Sequence, residues 1–347
     1  MKNKLKSKTI IFLFSLLTSF TLASCSDWTD VEALKIEDPG IENQNPELYA
    51  EYLENLKIYK SSHHKIVYAW FDNSVKTPFN RAQHIDNIPD SVDVVILMHP
   101  DNLNSREMKE KESIRNSKAT KTIFTLSYDL IKLKYDNKLA EQEETNIEPE
   151  DFLTFLADTL KYSLNMVDKY DYDGIAISYN GKGILHMTDP EKETYILNEN
   201  TFINTIQNWS EAHKDKIIVF EGKPQNMVNN TILSSCRHII ISGIEATNAN
   251  KLSYNILTAC IDGVPTDRFV VTASSTSLDQ SDKKTGYWTD GSLAVTSSAT
   301  WAAASYTDFT ISGLGIHNVN NDYFNARKVY QYTREAIYIL NPSLKAK

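Results

Sequence analysis

Cysteine is scarce in this chain, with three residues in 347, none of them in a Cys-x-x-Cys pair, and the eight histidines form no cluster. A structural zinc site needs four converging ligands, so nothing here supports one, and no other metal or cofactor is implied. Basic runs are missing too, apart from Lys2, Lys4, Lys6 and Lys8. The formal charge is −9, and loss of those four lysines would make it more negative. Such a chain has no electrostatic footprint for nucleic acid or for anionic lipid, whereas a neutral glycan meets no such penalty. Neither Gly-x-Gly-x-x-Gly nor a P-loop follows the first strand candidate, which removes the nucleotide-binding open sheets. Internal repeats and low-complexity tracts are also lacking.

The apolar run from Thr9 to Ala23 is too short to span a bilayer comfortably. Four lysines precede it and Leu22-Ala23-Ser24-Cys25 closes it, the pattern of a lipoprotein signal peptide over residues 1–24 with Cys25 as the lipid-bearing N-terminus. Two or three acyl chains there would anchor the protein to the membrane stably. Residues 25–45 read as a flexible tether. Its acidic start, Ser26-Asp27-Trp28-Thr29-Asp30, resembles the export signal that sends lipoproteins of some gut bacteria to the outer cell surface. The expected location is the outer membrane, lipid-anchored and surface-exposed. Cys236 and Cys260 then remain, expected as two buried thiols, with a disulfide between them the alternative in an oxidising compartment.

From residue 46 onward, short apolar runs alternate with helical patterns. The predicted strands are Ile66–Phe71, Val92–Met98, Thr122–Leu126, Gly174–Ser178, Ile217–Phe220, His238–Ser242, Phe269–Thr272 and Ile311–Ile316. Helical spacing is carried by Phe152, Leu156, Leu160, Leu164 and Val167, and by Phe202, Ile206 and Trp209. A last helix is expected from Asp322, as its N-cap, to Leu340, and another from Pro46 to Tyr59 ahead of the first strand. Eight strands alternating with helices in about three hundred residues predict an α/β fold, a single (β/α)8 TIM-type barrel over residues 46–347.

Such barrels carry their functional groups where strands end. The ligand-binding candidates at these ends are Asp72, Tyr128, Ser178, Tyr179, Asn180, Glu221, Glu245 and His317. Two long loops are expected, Gly181 to Glu199 and Ala273 to Gly291. The second presents Tyr287 and Trp288 among polar residues, where an aromatic plane can stack on a sugar ring. Tyr179 suits either a platform or the core. Glu221 and Glu245 suit either polar contacts and helix capping or a carboxylate pair for hydrolysis. Trp70 and Trp301 read as core.

The segment Tyr170 to Asn180, YDYDGIAISYN, resembles the Asp-Gly-x-Asp-x-Asp-x-Glu strand of glycoside hydrolase family 18. Aligned on Asp173-Gly174, Ala176 and Ser178 stand where that pattern has aspartates, and Asn180 stands where it has the acid glutamate. His64 to Asn73, Pro89 to Asp93 and the lipobox followed by Asp27-Trp28-Thr29 are similar to the endo-β-N-acetylglucosaminidase-like lipoproteins of gut-bacterial glycan-utilisation loci. The resemblance implies a barrel built for N-acetylglucosamine-containing glycans, most readily N-linked ones, handed on to an outer-membrane importer. In the family, the glutamate protonates the glycosidic oxygen, and the sugar's own acetamido group attacks the anomeric carbon, held by the preceding aspartate. Asn180 has no acidic proton to give, and loss of general-acid help costs about 10²- to 10⁴-fold. The expectation is a binding protein with no catalytic residue. Two alternatives stay open: a glycosidase with acids relocated to Glu221 or Glu245, and a scaffold subunit of an outer-membrane complex.

Overall fold

The structure is a computed structural model that describes residues 41–143 and 150–342. The expected signal peptide, Cys25 and most of the expected tether lie outside the described residues. Contacts divide the chain between residues 51 and 52. Residues 41–51 carry a helical turn, Ile41–Gln44, and the start of α1 (Pro46–Ser61). All the strands lie in the second unit.

Eight runs rich in Ile, Val and Phe form β1 (Ile66–Phe71), β2 (Val94–Leu97), β3 (Lys121–Ser127), β4 (Gly174–Tyr179), β5 (Ile217–Gly222), β6 (Ile239–Ile241), β7 (Phe269–Ser274) and β8 (Ile311–His317). Each pairs in parallel with the next, and β8 closes on β1, giving a closed barrel in sequence order. Around it run α2 (Ser105–Lys118), α3 (Tyr128–Glu143), α4 (Phe152–Lys169), α5 (Asp189–Ala212), α6 (Ala249–Ala259), α7 (Ala294–Ala303) and α8 (Gln331–Leu340). The chain is a (β/α)8 barrel, as its alternation predicts.

Strand side chains alternate between two faces, and here the faces make two separate cores. Tyr68, Trp70, Val94, Ile96, Ile123, Ala176, Val219, Ile240 and Val270 fill the barrel interior. The other face packs against the helices, with Ile175, Ile177, Phe202, Phe220 and Leu160 among the sealed residues. Cys236 is buried, Cys260 is half-buried, and both are free thiols.

Two expected boundaries move. The loop after β4 is short, because Thr188 and Glu191 form a capping box that starts α5 at Asp189. The last helix starts at Gln331 rather than at Asp322. Asp322 still caps it, from ten residues away: its buried carboxylate accepts from Tyr332 N at 3.2 Å and from Thr333 N and Oγ1 at 2.7 Å each. Asp322→Ala should therefore cost about 2 kcal/mol, the upper end for a helix cap. A denaturant midpoint unchanged from wild type would contradict this role.

Candidate functional site

The Asp-Gly pair that opens β4 belongs to the scaffold, at the end of the barrel away from the site. The Asp173 carboxylate accepts from Thr122 N at 2.8 Å and pairs with Arg115 at 3.2 Å and Lys121 at 3.4 Å. Gly174 sits at φ +157, and a Cβ there would lie 1.9 Å from the Ile217 carbonyl oxygen. Closing β4 onto β5 needs the missing side chain.

Beyond Gly174, every second residue faces the barrel interior. Ala176 is fully buried among the interior apolar residues, level with Thr125 on β3 and Val219 on β5. Ser178, half-buried, stands beside Ser127 and Glu221 at the mouth. Asn180 follows, exposed, with its side-chain amide donating to Asp129 Oδ2 at 2.8 Å and its backbone N donating to the same oxygen at 3.3 Å. Asn226 Nδ2 donates to the Asn180 carbonyl at 2.7 Å. Asp129 thus orients the side-chain amide, and Asn226 holds the backbone behind it. A glutamate in its place would set a second carboxylate against Asp129.

Glu221 is the carboxylate that β5 aims at the mouth. Its one side-chain hydrogen bond among the described residues is a long one, 3.4 Å, from Thr125 Oγ1 to Oε2. Burial pushes its carboxyl up to about 7, and the Thr125 hydroxyl only partly opposes this. Across the mouth, Gly315 leaves room for the Trp70 ring, which stacks on His317 with centroids 3.9 Å apart and planes at 17°. Burial holds His317 down at about 4, so its imidazole is neutral at physiological pH and can both donate and accept. Asp72, exposed beyond Trp70, has Oδ1 3.5 Å from His99 Nε2 and accepts from Ser74 N at 2.8 Å.

The expected ligand residues divide into groups. Ser178, Asn180 and Glu221 share the mouth on the β4–β5 side, and Asp72 and His317 are at the ends of β1 and β8. Glu245, Tyr287 and Trp288 line one cavity of about 490 Å³ between the β6 and β7 loops. Those loops are tied by Thr289 N donating to Thr247 O at 3.1 Å. Trp288 is half-buried against the core rather than exposed, and its indole N–H has no partner among the described residues. Tyr287 is half-buried as well.

Two expectations are corrected. Tyr179 is fully buried on the helix-facing side of β4, its ring against Tyr128 and Phe202. Its hydroxyl donates to buried Glu199 at 2.6 Å, and Glu199 in turn accepts from Val228 N and Asn229 N at 2.7 Å each. No ligand reaches a ring enclosed in this way. Tyr128 likewise packs on Phe152, Tyr179 and Phe202, although it also borders a cleft of about 560 Å³. Asp129, Lys182, Met187 and Tyr195 line the same cleft, which adjoins Asn180 through Asp129.

Sequence reasoning missed Asp129 as a partner of Asn180. It also missed the apolar residues on the βα loops, among them Phe79 at 81% exposed, Leu185 at 86% and Phe324 at 51%. Phe324 borders a further cavity of about 710 Å³ with Leu278, Asn321 and Arg327. The available signal was an isolated aromatic inside a polar loop, which Phe324 lost by being assigned to a helix face.

Solved structures share this architecture. A substituted selenomethionine form of BT1044 superposes with a TM-score of 0.62 at 18% identity, covering 87% of this chain and 95% of the other. The endo-β-N-acetylglucosaminidase of Cordyceps militaris gives 0.55 at 14% identity, over 84% and 96% of the two chains. A family 18 chitinase of Chromobacterium violaceum gives 0.51 at 9%, over 80% and 84%. At these identities the likeness shows the fold alone. No curated protein matches the sequence. The profile described as glycoside hydrolase family 18, BT1044-like, spans residues 29–339, nearly the whole sequence. With the barrel and the Asp173-Gly174 frame in place, the chain belongs to the BT1044-like group of glycoside hydrolase family 18.

Proposed function

We propose that this protein captures an N-acetylglucosamine-containing glycan, of the N-linked type, at the C-terminal mouth of its barrel and holds it without hydrolysis. The observation that carries the reading is Asn180, an amide at the acid position, fixed by its 2.8 Å hydrogen bond to Asp129. Ala176 supports it, because the interior acid position has become apolar core. The groups left at the mouth, Ser178, Asn180, neutral His317 and Glu221, can hydrogen-bond hydroxyls and an acetamido group. Loop residues such as Tyr287 and Phe324 offer faces for sugar rings. The protein would act at the cell surface, anchored through lipid on Cys25, and pass its glycan to an outer-membrane importer. Clustering on the membrane would raise avidity for multivalent glycoproteins.

Affinity electrophoresis of the full chain through a gel containing an N-glycosylated protein tests the reading. Wild type should be retarded, and Asn180→Ala should weaken retention about fivefold, the loss of one hydrogen bond. Equal migration with and without the glycoprotein would remove the ligand assignment.

One observation favours a second reading. Glu221 is a carboxylic acid that keeps its proton near neutral pH, as a general acid must. Were it catalytic, wild type would release glycan, Asn180→Ala would still do so, and Glu221→Gln would not.

A further inference from the structure

The opposite, N-terminal end of the barrel has a cavity of about 610 Å³ that glycan capture leaves unused. Its wall is mostly basic although the protein is acidic: Lys60 from α1, Lys65 ahead of β1, Lys121 on β3, and Arg237 and His238 ahead of β6 all line it, with Asp93 the one carboxylate among them. The nearby carboxylates are already engaged. Asp93 lies 2.9 Å from His64 Nε2 and accepts from Val67 N at 2.8 Å. Asp173 takes Arg115 and Lys121, Asp90 takes Lys118 at 2.8 Å, and Glu54 takes Lys57 at 2.8 Å.

Lys60, Lys65 and Arg237 are left without an ion pair among the described residues. The Lys60 amine donates to Val92 O and Thr120 Oγ1, each at 2.6 Å, and Lys65 donates to Ile311 O at 2.6 Å. An ammonium has three donors, so each keeps at least one free. The exposed Arg237 guanidinium makes no hydrogen bond among the described residues and offers its whole fork. The field at this end is correspondingly positive. Burial lowers Lys60 to about 8, with Lys118 adding to the effect and Asp93 and Asp90 opposing it. Burial, then Arg237 and Arg268, hold His238 at about 4.

We propose that this cavity binds a tetrahedral oxyanion, a phosphate or sulfate group, between the Arg237 fork and the Lys60 and Lys65 amines. A guanidinium fork matches two oxygens of such a group, and separate ammoniums on other walls match the remaining ones. The cavity exceeds the size of a bare phosphate, so it has space for the molecule that carries the group. That molecule is either a soluble phosphorylated or sulfated compound or a lipid headgroup. The site is independent of what the opposite mouth holds.

Titration calorimetry of the full chain with inorganic phosphate, and in a second arm sedimentation with phosphatidylglycerol vesicles, tests the assignment and separates the sources. Phosphate should bind saturably, and Arg237→Ala or Lys65→Met should weaken it about 10- to 100-fold, the range for losing a charged hydrogen-bond partner. Arg237→Lys should fall between wild type and Arg237→Ala, because it keeps the charge and loses the fork. Lys182→Ala, at the other end of the barrel, should bind like wild type. Vesicle binding that Arg237→Ala abolishes identifies a headgroup, and phosphate binding without vesicle binding identifies a soluble anion. Arg237 is exposed, so its replacement leaves the fold intact, which a thermal melt checks. If neither arm shows binding that depends on Arg237, the site does not exist.

Discussion

Ala176→Asp is expected to lower stability by about 3–5 kcal/mol, the cost of an unpaired charge in a packed interior. Ala176 has no exposed surface, and Ile123, Val219 and Trp70 belong to the same interior cluster. No basic group of that cluster could pair with an introduced carboxylate. The sign of the pH dependence follows from the same burial. A carboxyl there would have a folded pKa raised above its unfolded value of about 3.9. The ionisation part of the penalty therefore vanishes below about pH 4 and grows as pH rises, while the cost of burying the neutral carboxyl remains. Denaturant midpoints at pH 4 and pH 7 check both parts. An equally stable variant at pH 7 would mean that the interior still accommodates the family's aspartate, and that its loss here has no structural consequence.

The second large effect is at Glu221. Its folded pKa, about 7, stands above the unfolded value of about 4.3. The proton it retains contributes stability that is fully present below about pH 4.3 and is lost as pH rises through about 7. Linkage puts the loss at no more than about 4 kcal/mol, and less because the residue is only half-buried and water reaches the mouth. Glu221→Gln removes the titration. It should match wild type near pH 4.5 and exceed it by about 2 kcal/mol at pH 8. Thermal melts of both proteins across that range decide the matter. Parallel curves would mean that Glu221 titrates alike in the folded and unfolded chain, and would remove the support it gives to a relocated acid.

The strands were readable in the sequence because a parallel sheet covered on both faces makes each strand a continuous apolar run. β1 falls where predicted, and the other strands shift by at most two residues at an end. The direction of each side chain was readable as well, through the period of two. With Ser178 facing the mouth, Tyr179 must face the helices, and the same alternation rules it out as a ligand platform. Thr188-x-x-Glu191 was a capping box in plain view, and it ends the β4 loop eleven residues earlier than the apolar pattern indicated. Other features had no local signal. Asp322 caps a helix from ten residues away, and Asp129 meets Asn180 across 51 positions. The basic cavity gathers residues from Lys60 to Arg237, so the absence of a basic run in the chain hid a basic site in the fold.

Titration calorimetry of the full chain with an intact N-linked glycopeptide separates capture from hydrolysis, because it reads binding and turnover in one trace. Saturable heat that returns to baseline after every injection is expected, with the glycopeptide recovered whole by mass spectrometry. Heat that continues after each injection, with the glycan cleaved from its peptide, would contradict capture without hydrolysis and point to a relocated acid, Glu221 or Glu245.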